Sequence, residues 1–197
     1  MIIEDKKIIY LHTRKCGGSS IIKSFGKDVT NWDMYNCGTL SKGIMPDGKY
    51  YGDWDDSLMQ EYFIFTSVRN PWDKMVSAYF YSGKGMQIHG RSMGFKEFIE
   101  NLPAKHENFT WWIHATANLS DYLYASDGQL AAHKVLRFER LAQDYNDLMK
   151  ELGYSYNLPH VNKSNRPDDY KGMYNDETKK MIANLFEADI DNFKYTF

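Results

Sequence analysis

Apolar positions fall in short runs between polar, turn-rich stretches. Ile8, Ile9, Tyr10 and Leu11 form the first run and predict a buried strand, although a run this short has no diagnostic period. Gly17-Gly18 then allows a tight backbone turn, and Ser19 to Phe25 reads as a helix with Ser19 or Ser20 able to cap it. Tyr62 to Val68, YFIFTSV, is β-branched, aromatic and nearly continuous in apolarity, which predicts a central strand covered on both faces, as in a parallel sheet. Asn70-Pro71 supplies a cap and a first-turn proline for a helix in which Trp72, Val76, Tyr79 and Phe80 share a face. Phe95 to Leu102 predicts a short helix stopped by Pro103, and the region from Trp111-Trp112 to Tyr124 is apolar and helical in part. Lys134 to Phe138 reads as another strand. Glu139 to Leu152 comes next as a helix with Leu141, Tyr145, Leu148, Met149 and Leu152 on one face, ended by Gly153. Asn175 to Ala188 is the last amphipathic helix, capped by Asn175 or Asp176.

Between these elements lie two long polar stretches. Asn31 to Ser57 carries the turn signal Pro46-Asp47-Gly48 together with Asp33, Asp53, Asp55 and Asp56. Ser82 to Met93 is rich in glycine and basic residues, includes His89 and Arg91, and reads as a loop long enough to select or cover a ligand. Repeats, low-complexity tracts and linkers are absent from the sequence, so residues 1–197 are expected to form a single domain.

Composition narrows the class. A chain of 197 residues with 16% aromatic content can bury a sizeable core and is not of the disordered type. No apolar run approaches the roughly 20 residues that span a bilayer, and MIIEDKK lacks the order of a signal peptide. Cys16 and Cys37 could pair, but two cysteines make no disulfide framework, and a reducing, cytoplasmic setting is the expectation. The formal net charge of -2 argues against a nucleic-acid partner. The first segment departs from that average: Lys6, Lys7, Arg14, Lys15, Lys23 and Lys27 outnumber Glu4 and Asp5.

That local charge surrounds the strand–glycine-turn–helix arrangement of Ile8 to Ser20. A helix N-terminus presents unpaired N–H groups and a positive dipole end, which suits a phosphate. The sequence is not a Walker A loop, because Lys15 precedes the glycines where that motif places its lysine after the last one. A second basic group, Arg69, comes directly after the Tyr62 to Val68 run. Its guanidinium offers a planar fork for bidentate phosphate binding, and Ser77 lies about two turns into the next helix.

The order Arg14-Lys15-Cys16-Gly17-Gly18-Ser19-Ser20 resembles the 5′-phosphosulfate loop of sulfotransferases, usually Pro-Lys-Thr-Gly-Gly-Thr-Ser, with Arg14 in the proline position and Cys16 in that of the first threonine. Val68 to Tyr79 resembles the same family's 3′-phosphate motif, an Arg-Asp/Asn-Pro start with a serine eight residues after the arginine. Three weaker markers, Arg137-Phe138-Glu139, the loop Leu158 to Pro167 and the closing Asp189-x-x-x-Phe193-x-Tyr195, are similar to the membrane-type carbohydrate sulfotransferases.

The resemblance implies a P-loop-like α/β fold with a central parallel sheet flanked by helices. It implies 3′-phosphoadenosine 5′-phosphosulfate (PAPS) as donor, PAP as product, a saccharide or other small acceptor, and no metal. In that scheme Lys15 binds the oxygen bridging phosphate and sulfate. Gly17 to Ser20 cradle the 5′-phosphate with Arg14 and Cys16, Arg69 and Ser77 hold the 3′-phosphate, and Lys163, Ser164 and Arg166 approach the donor from the late loop. Some relatives have a histidine where Asp53 stands, so Asp53 is the candidate base, with His89, Asp55 and Asp33 as rivals. Two other readings remain open at this level: a small ATP- and magnesium-dependent kinase, and an inactive nucleotide- or glycan-binding module of the same fold.

Overall fold

The computed structural model describes residues 1–26, 60–81, 87–88, 91–102, 117–124, 128–159, 161 and 166–197. Its strands are β1 (Ile2–Ile3), β2 (Ile8–Leu11), β3 (Phe63–Val68), β4 (Gln87–Ile88), β5 (Arg91–Ser92) and β6 (Lys134–Arg137). Its α-helices are α1 (Gly18–Phe25), α2 (Pro71–Tyr81), α3 (Phe95–Glu100), α4 (Ser120–Leu123), α5 (Leu141–Glu151), α6 (Asp176–Leu185) and α7 (Glu187–Phe193). The chain divides into two compact units, Met1–Val68 with Leu119–Asn162, and Arg69–Asn118 with Lys163–Phe197.

The first unit is α/β. Its sheet has the order β1-β2-β3-β6 and is parallel except for β1. Ile8 pairs with Phe63 and Leu11 with Thr66, while Phe65 pairs with Lys134 and Val68 with Arg137. The continuous apolarity of β2 and β3 is explained by burial of both faces, with Ile8, Tyr10 and Phe65 on one side and Ile9 and Ile64 on the other. Helices α1 and α5 cover the first of these faces through Ile21, Ile22 and Phe25, and through Leu141, Tyr145, Leu148 and Met149. Each such side chain contributes about 1.5–3 kcal/mol by leaving water. The short β1, which the apolar pattern did not resolve as an element separate from β2, adds an antiparallel edge through Ile2↔Ile9 and Ile3↔Ile8.

Two boundaries differ from the sequence expectation for local reasons. Helix α1 begins at Gly18, and its N-cap is Gly17 at φ 85° rather than a serine. From that left-handed conformation the Gly17 carbonyl accepts from Ser20 N at 3.0 Å, so neither hydroxyl caps the helix. Strand β6 stops at Arg137 and a 3-10 turn, Phe138–Arg140, precedes α5. There Asp144 takes the Arg137 N–H at 2.8 Å and the Arg140 guanidinium at 2.9 Å, tying the strand end to the helix.

The second unit is helical, with the β4–β5 hairpin inside the segment expected to be a loop. As expected, Pro71 is the first residue of α2 and Asn70 caps it, its Oδ1 accepting from Trp72 N at 3.1 Å. Trp72, Met75 and Val76 of α2 pack with Phe98 and Ile99 of α3 and with Ile182 and Phe186. The helix expected over Asn175 to Ala188 is broken at Phe186 (φ −114°, ψ 30°), whose ring is fully buried, and α7 continues beyond it. The marker residues Asp189, Phe193 and Tyr195 of the final segment are all buried, which gives that motif a packing role. Among the described residues no helix is long and apolar enough to cross a membrane.

Asn175 opens α6 through a reciprocal box. Its Oδ1 accepts from Thr178 N at 2.8 Å, and Thr178 Oγ1 accepts from Asn175 N at 3.1 Å. Asn175→Ala is expected to cost about 1 kcal/mol and to lower the melting temperature by about 2–4 °C, measured by thermal denaturation.

Candidate functional site

The loop that carries Lys15 grows out of the carboxyl end of β2. Below it lies a set of buried hydroxyls. Tyr10 Oη and Ser67 Oγ are 2.7 Å apart, and the Thr13 hydroxyl donates to the Ser67 carbonyl. Thr13 therefore fixes the start of the loop to β3, two residues before the candidate lysine. Lys15 itself sits at φ 64°, a left-handed conformation that a lysine adopts at a cost of about 1–2 kcal/mol. Strain of this kind persists where the surroundings over-determine it, which is common at functional sites.

Both glycines are required by what surrounds them. A Cβ at Gly17 would overlap Leu141 and meet Phe138 Cδ2 at 3.2 Å, on a backbone that already disfavours a side chain. A Cβ at Gly18 would overlap the His12 ring and lie 3.0 Å from Tyr10 Oη. The Arg137-Phe138-Glu139 marker thus borders the lysine–glycine loop through Phe138. Leu141 and His12 are further loop neighbours that the family motifs do not include. His12 was in principle legible, since Ile8, Tyr10 and His12 alternate along one strand face.

The remaining loop residues divide by exposure. Ser19 is exposed, while Arg14, Lys15 and Ser20 are partly buried. Ser20 Oγ accepts from Val161 N at 3.4 Å, which brings the late loop to the start of α1. Cys16 is wholly buried as a free thiol that donates to Arg14 O at 3.3 Å, so its side chain serves the turn itself. Cys37 lies outside the described residues, as do Asp53, His89, Asp55, Asp33, Lys163 and Ser164.

Arg69 and Ser77 belong to the second unit. Arg69 is 3% exposed and is engaged by Asp73: its Nε donates to Asp73 Oδ2 at 2.8 Å and its Nη2 lies 2.7 Å from the same oxygen. The other carboxylate oxygen, Oδ1, is taken by Arg166. Ser77 is buried one turn beyond Asp73 on the same face of α2. The structure therefore brings Arg69, Asp73 and Arg166 together as one charge cluster, two guanidiniums around one carboxylate. Asp73 is the member that the motif did not name. Its signal was the i,i+4 spacing from Arg69, a pairing distance on a helical turn.

Aromatic side chains stand near that cluster. Burial pushes the Tyr174 hydroxyl far above the usual phenol range, and the Asp73 carboxylate and Tyr170 push it the same way. The phenol stays neutral and donates to Trp72 O at 2.8 Å. Lys74, also fully buried, donates to Ala117 O at 2.8 Å and lies 4.9 Å from the centre of the Phe186 ring. Among the described residues no group of three or more His, Cys, Asp or Glu side chains is placed to hold a metal.

Close approach of His12 to Gly18 has a measurable signature. Gly18→Ala is expected to destabilise the fold by about 1–3 kcal/mol, the usual cost of overpacking. In chemical denaturation His12→Ala should recover part of that loss, because removing the ring vacates the space the new methyl needs. Strictly additive effects of the two changes would show that the contact does not constrain residue 18.

Comparison with curated proteins gives no match. A family model described as Sulfotransferase family matches residues 1–196, which takes in both units, the lysine–glycine loop and the arginine cluster. The chain belongs to the sulfotransferase family.

Proposed function

We propose that this chain transfers a sulfuryl group from PAPS to a hydroxyl or amine of an acceptor, a saccharide being the acceptor class the sequence resemblance favours, on a P-loop-like fold. The observation that carries the reading is the loop at the end of β2. There a lysine held at positive φ precedes two glycines that neighbouring side chains leave no room to replace. Backbone N–H groups exposed in such a turn, at the N-terminus of α1, suit a phosphate oxygen.

PAPS, when bound, supplies the sulfuryl group and a phosphate leaving group. The chain's own part is to hold charge and position. Lys15 offers an ammonium to the oxygen on which negative charge grows as the bond to sulfur breaks, and that stabilisation is worth most where water is excluded. Gly17 and Gly18 let the main chain approach a phosphate, and the Ser19 and Ser20 hydroxyls are available beside them. Arg69 and Ser77 are assigned to the 3′-phosphate, where a guanidinium provides charge-assisted hydrogen bonds. Arg14, Lys163, Ser164 and Arg166 complete the proposed donor contacts, with Cys16, whose thiol is buried, contributing through its main chain. Asp53 is the proposed base, with a carboxylate able to serve if desolvation raises its pKa.

Donor recognition is testable without an acceptor. Adenosine 3′,5′-bisphosphate should stabilise the protein more than 5′-AMP or ATP with magnesium. At a hundred times its dissociation constant a ligand adds about 2.7 kcal/mol, a rise of about 5–10 °C in melting temperature. A larger shift with ATP and magnesium would replace this reading with a kinase. Turnover is tested separately. Lys15→Ala should abolish transfer from labelled PAPS in an acceptor screen while leaving the melting temperature without ligand largely unchanged, because the substitution does not remove core packing. Near wild-type transfer by the folded variant would remove Lys15 from the mechanism.

A further inference from the structure

Asp73 sits between two guanidiniums, and simple charge counting gives it the wrong role. A carboxylate beside a phosphate-binding arginine should repel the ligand, so its removal ought to tighten binding. The geometry points the other way. Asp73 is itself only 6% exposed, and its Oδ2 takes the Nε and Nη2 side of the Arg69 guanidinium. The Nε hydrogen bond, with Nη2 close to the same oxygen, orients the guanidinium. Oδ1 meanwhile holds Arg166, 93 residues later in the chain. Arg166 is the more accessible of the two arginines, its side chain 18% exposed against 3% for Arg69.

We infer that Asp73 is a positioning residue for anion recognition: it orients Arg69 and tethers Arg166 so that the two guanidiniums act as one reader of a phosphate. The inference rests on the proposed role of Arg69 at the 3′-phosphate and adds the group that makes that role possible. The cluster keeps an excess of one positive charge, so a dianionic phosphate is still attracted to it. What Asp73 supplies is orientation. An arginine with many rotamers loses side-chain entropy when it binds, and a fixed carboxylate partner pays that cost before the ligand arrives. Arg166 also stands two residues after Ser164 in the chain, so its tether ties the end of the late loop to the start of α2.

The sign of the effect of Asp73→Asn separates orientation from charge. Dissociation constants for adenosine 3′,5′-bisphosphate and for 5′-AMP are measured by calorimetry on the full chain. Orientation predicts that Asp73→Asn weakens the bisphosphate by about tenfold or more, the scale of one charge-assisted hydrogen bond. Affinity for 5′-AMP should change by less than about twofold, since that ligand has no 3′-phosphate to read. Asp73→Glu keeps the charge and displaces the carboxylate by one methylene. It should also lower the preference for the bisphosphate, and it decides the matter if the asparagine variant does not fold. Unchanged or tighter bisphosphate binding in a folded variant would overturn the inference and leave the donor reading intact. Equal weakening of both nucleotides would reduce Asp73 to a structural residue and overturn it too. If the wild-type protein did not prefer the bisphosphate at all, the donor reading would fail first, and this inference with it.

Discussion

The close approach of backbone to side chains at Gly17 and Gly18 is the constraint on which the first unit turns. An added Cβ would overlap Leu141 and crowd Phe138 at Gly17, and would overlap the His12 ring at Gly18, so a side chain is disfavoured at both turn positions. That turn leads into α1, whose Ile21, Ile22 and Phe25 meet the sheet face. The same turn carries Lys15. The packing that makes the core and the conformation that makes the loop are one arrangement, and a change in either is felt in the other.

In the second unit a buried charge cluster is a poor source of stability. A buried carboxylate with two guanidiniums loses several kcal/mol per ion in hydration, and Coulomb attraction returns that only with good geometry. Well-packed apolar residues would hold α2 at least as firmly. The cluster of Arg69, Asp73 and Arg166 is therefore not accounted for by its contribution to folding. Lys74, under Phe186 and bonded to a carbonyl, poses the same question on the next position of α2.

Legibility tracked the range of the interactions. Strands β2 and β3 could be read because unbroken apolar, β-branched and aromatic runs describe a strand with both faces covered. Helix α2 could be read because Asn70-Pro71 states its own start. The family could be read because the lysine–glycine loop and the Arg69 segment stand in a recognisable order. What could not be read depends on groups distant in sequence. The replacement of a serine cap by Gly17 comes from a carbonyl position that only the folded turn creates. Phe186 breaks the last helix because its ring is drawn into the core, although nothing in its immediate neighbours is a helix breaker. Arg166 meets Asp73 across most of the second unit's sequence, and no local pattern announces it. Cys16 stands in a ligand-binding position of the motif, yet its thiol is turned to Arg14.

The interleaving of the two units along the chain has a consequence for how the protein is made. Strand β3 is complete long before β6, its parallel neighbour, leaves the ribosome, and α2 emerges long before Ile182 and Phe186 can cover it. At about 5–20 residues per second the wait lasts several seconds. Until then Trp72, Met75 and Val76 have only part of their cover, and β3 lacks its β6 neighbour. Neither unit is continuous in sequence, because each is completed by a segment that follows part of the other. The fold is therefore completed only after Lys163–Phe197 has been synthesised.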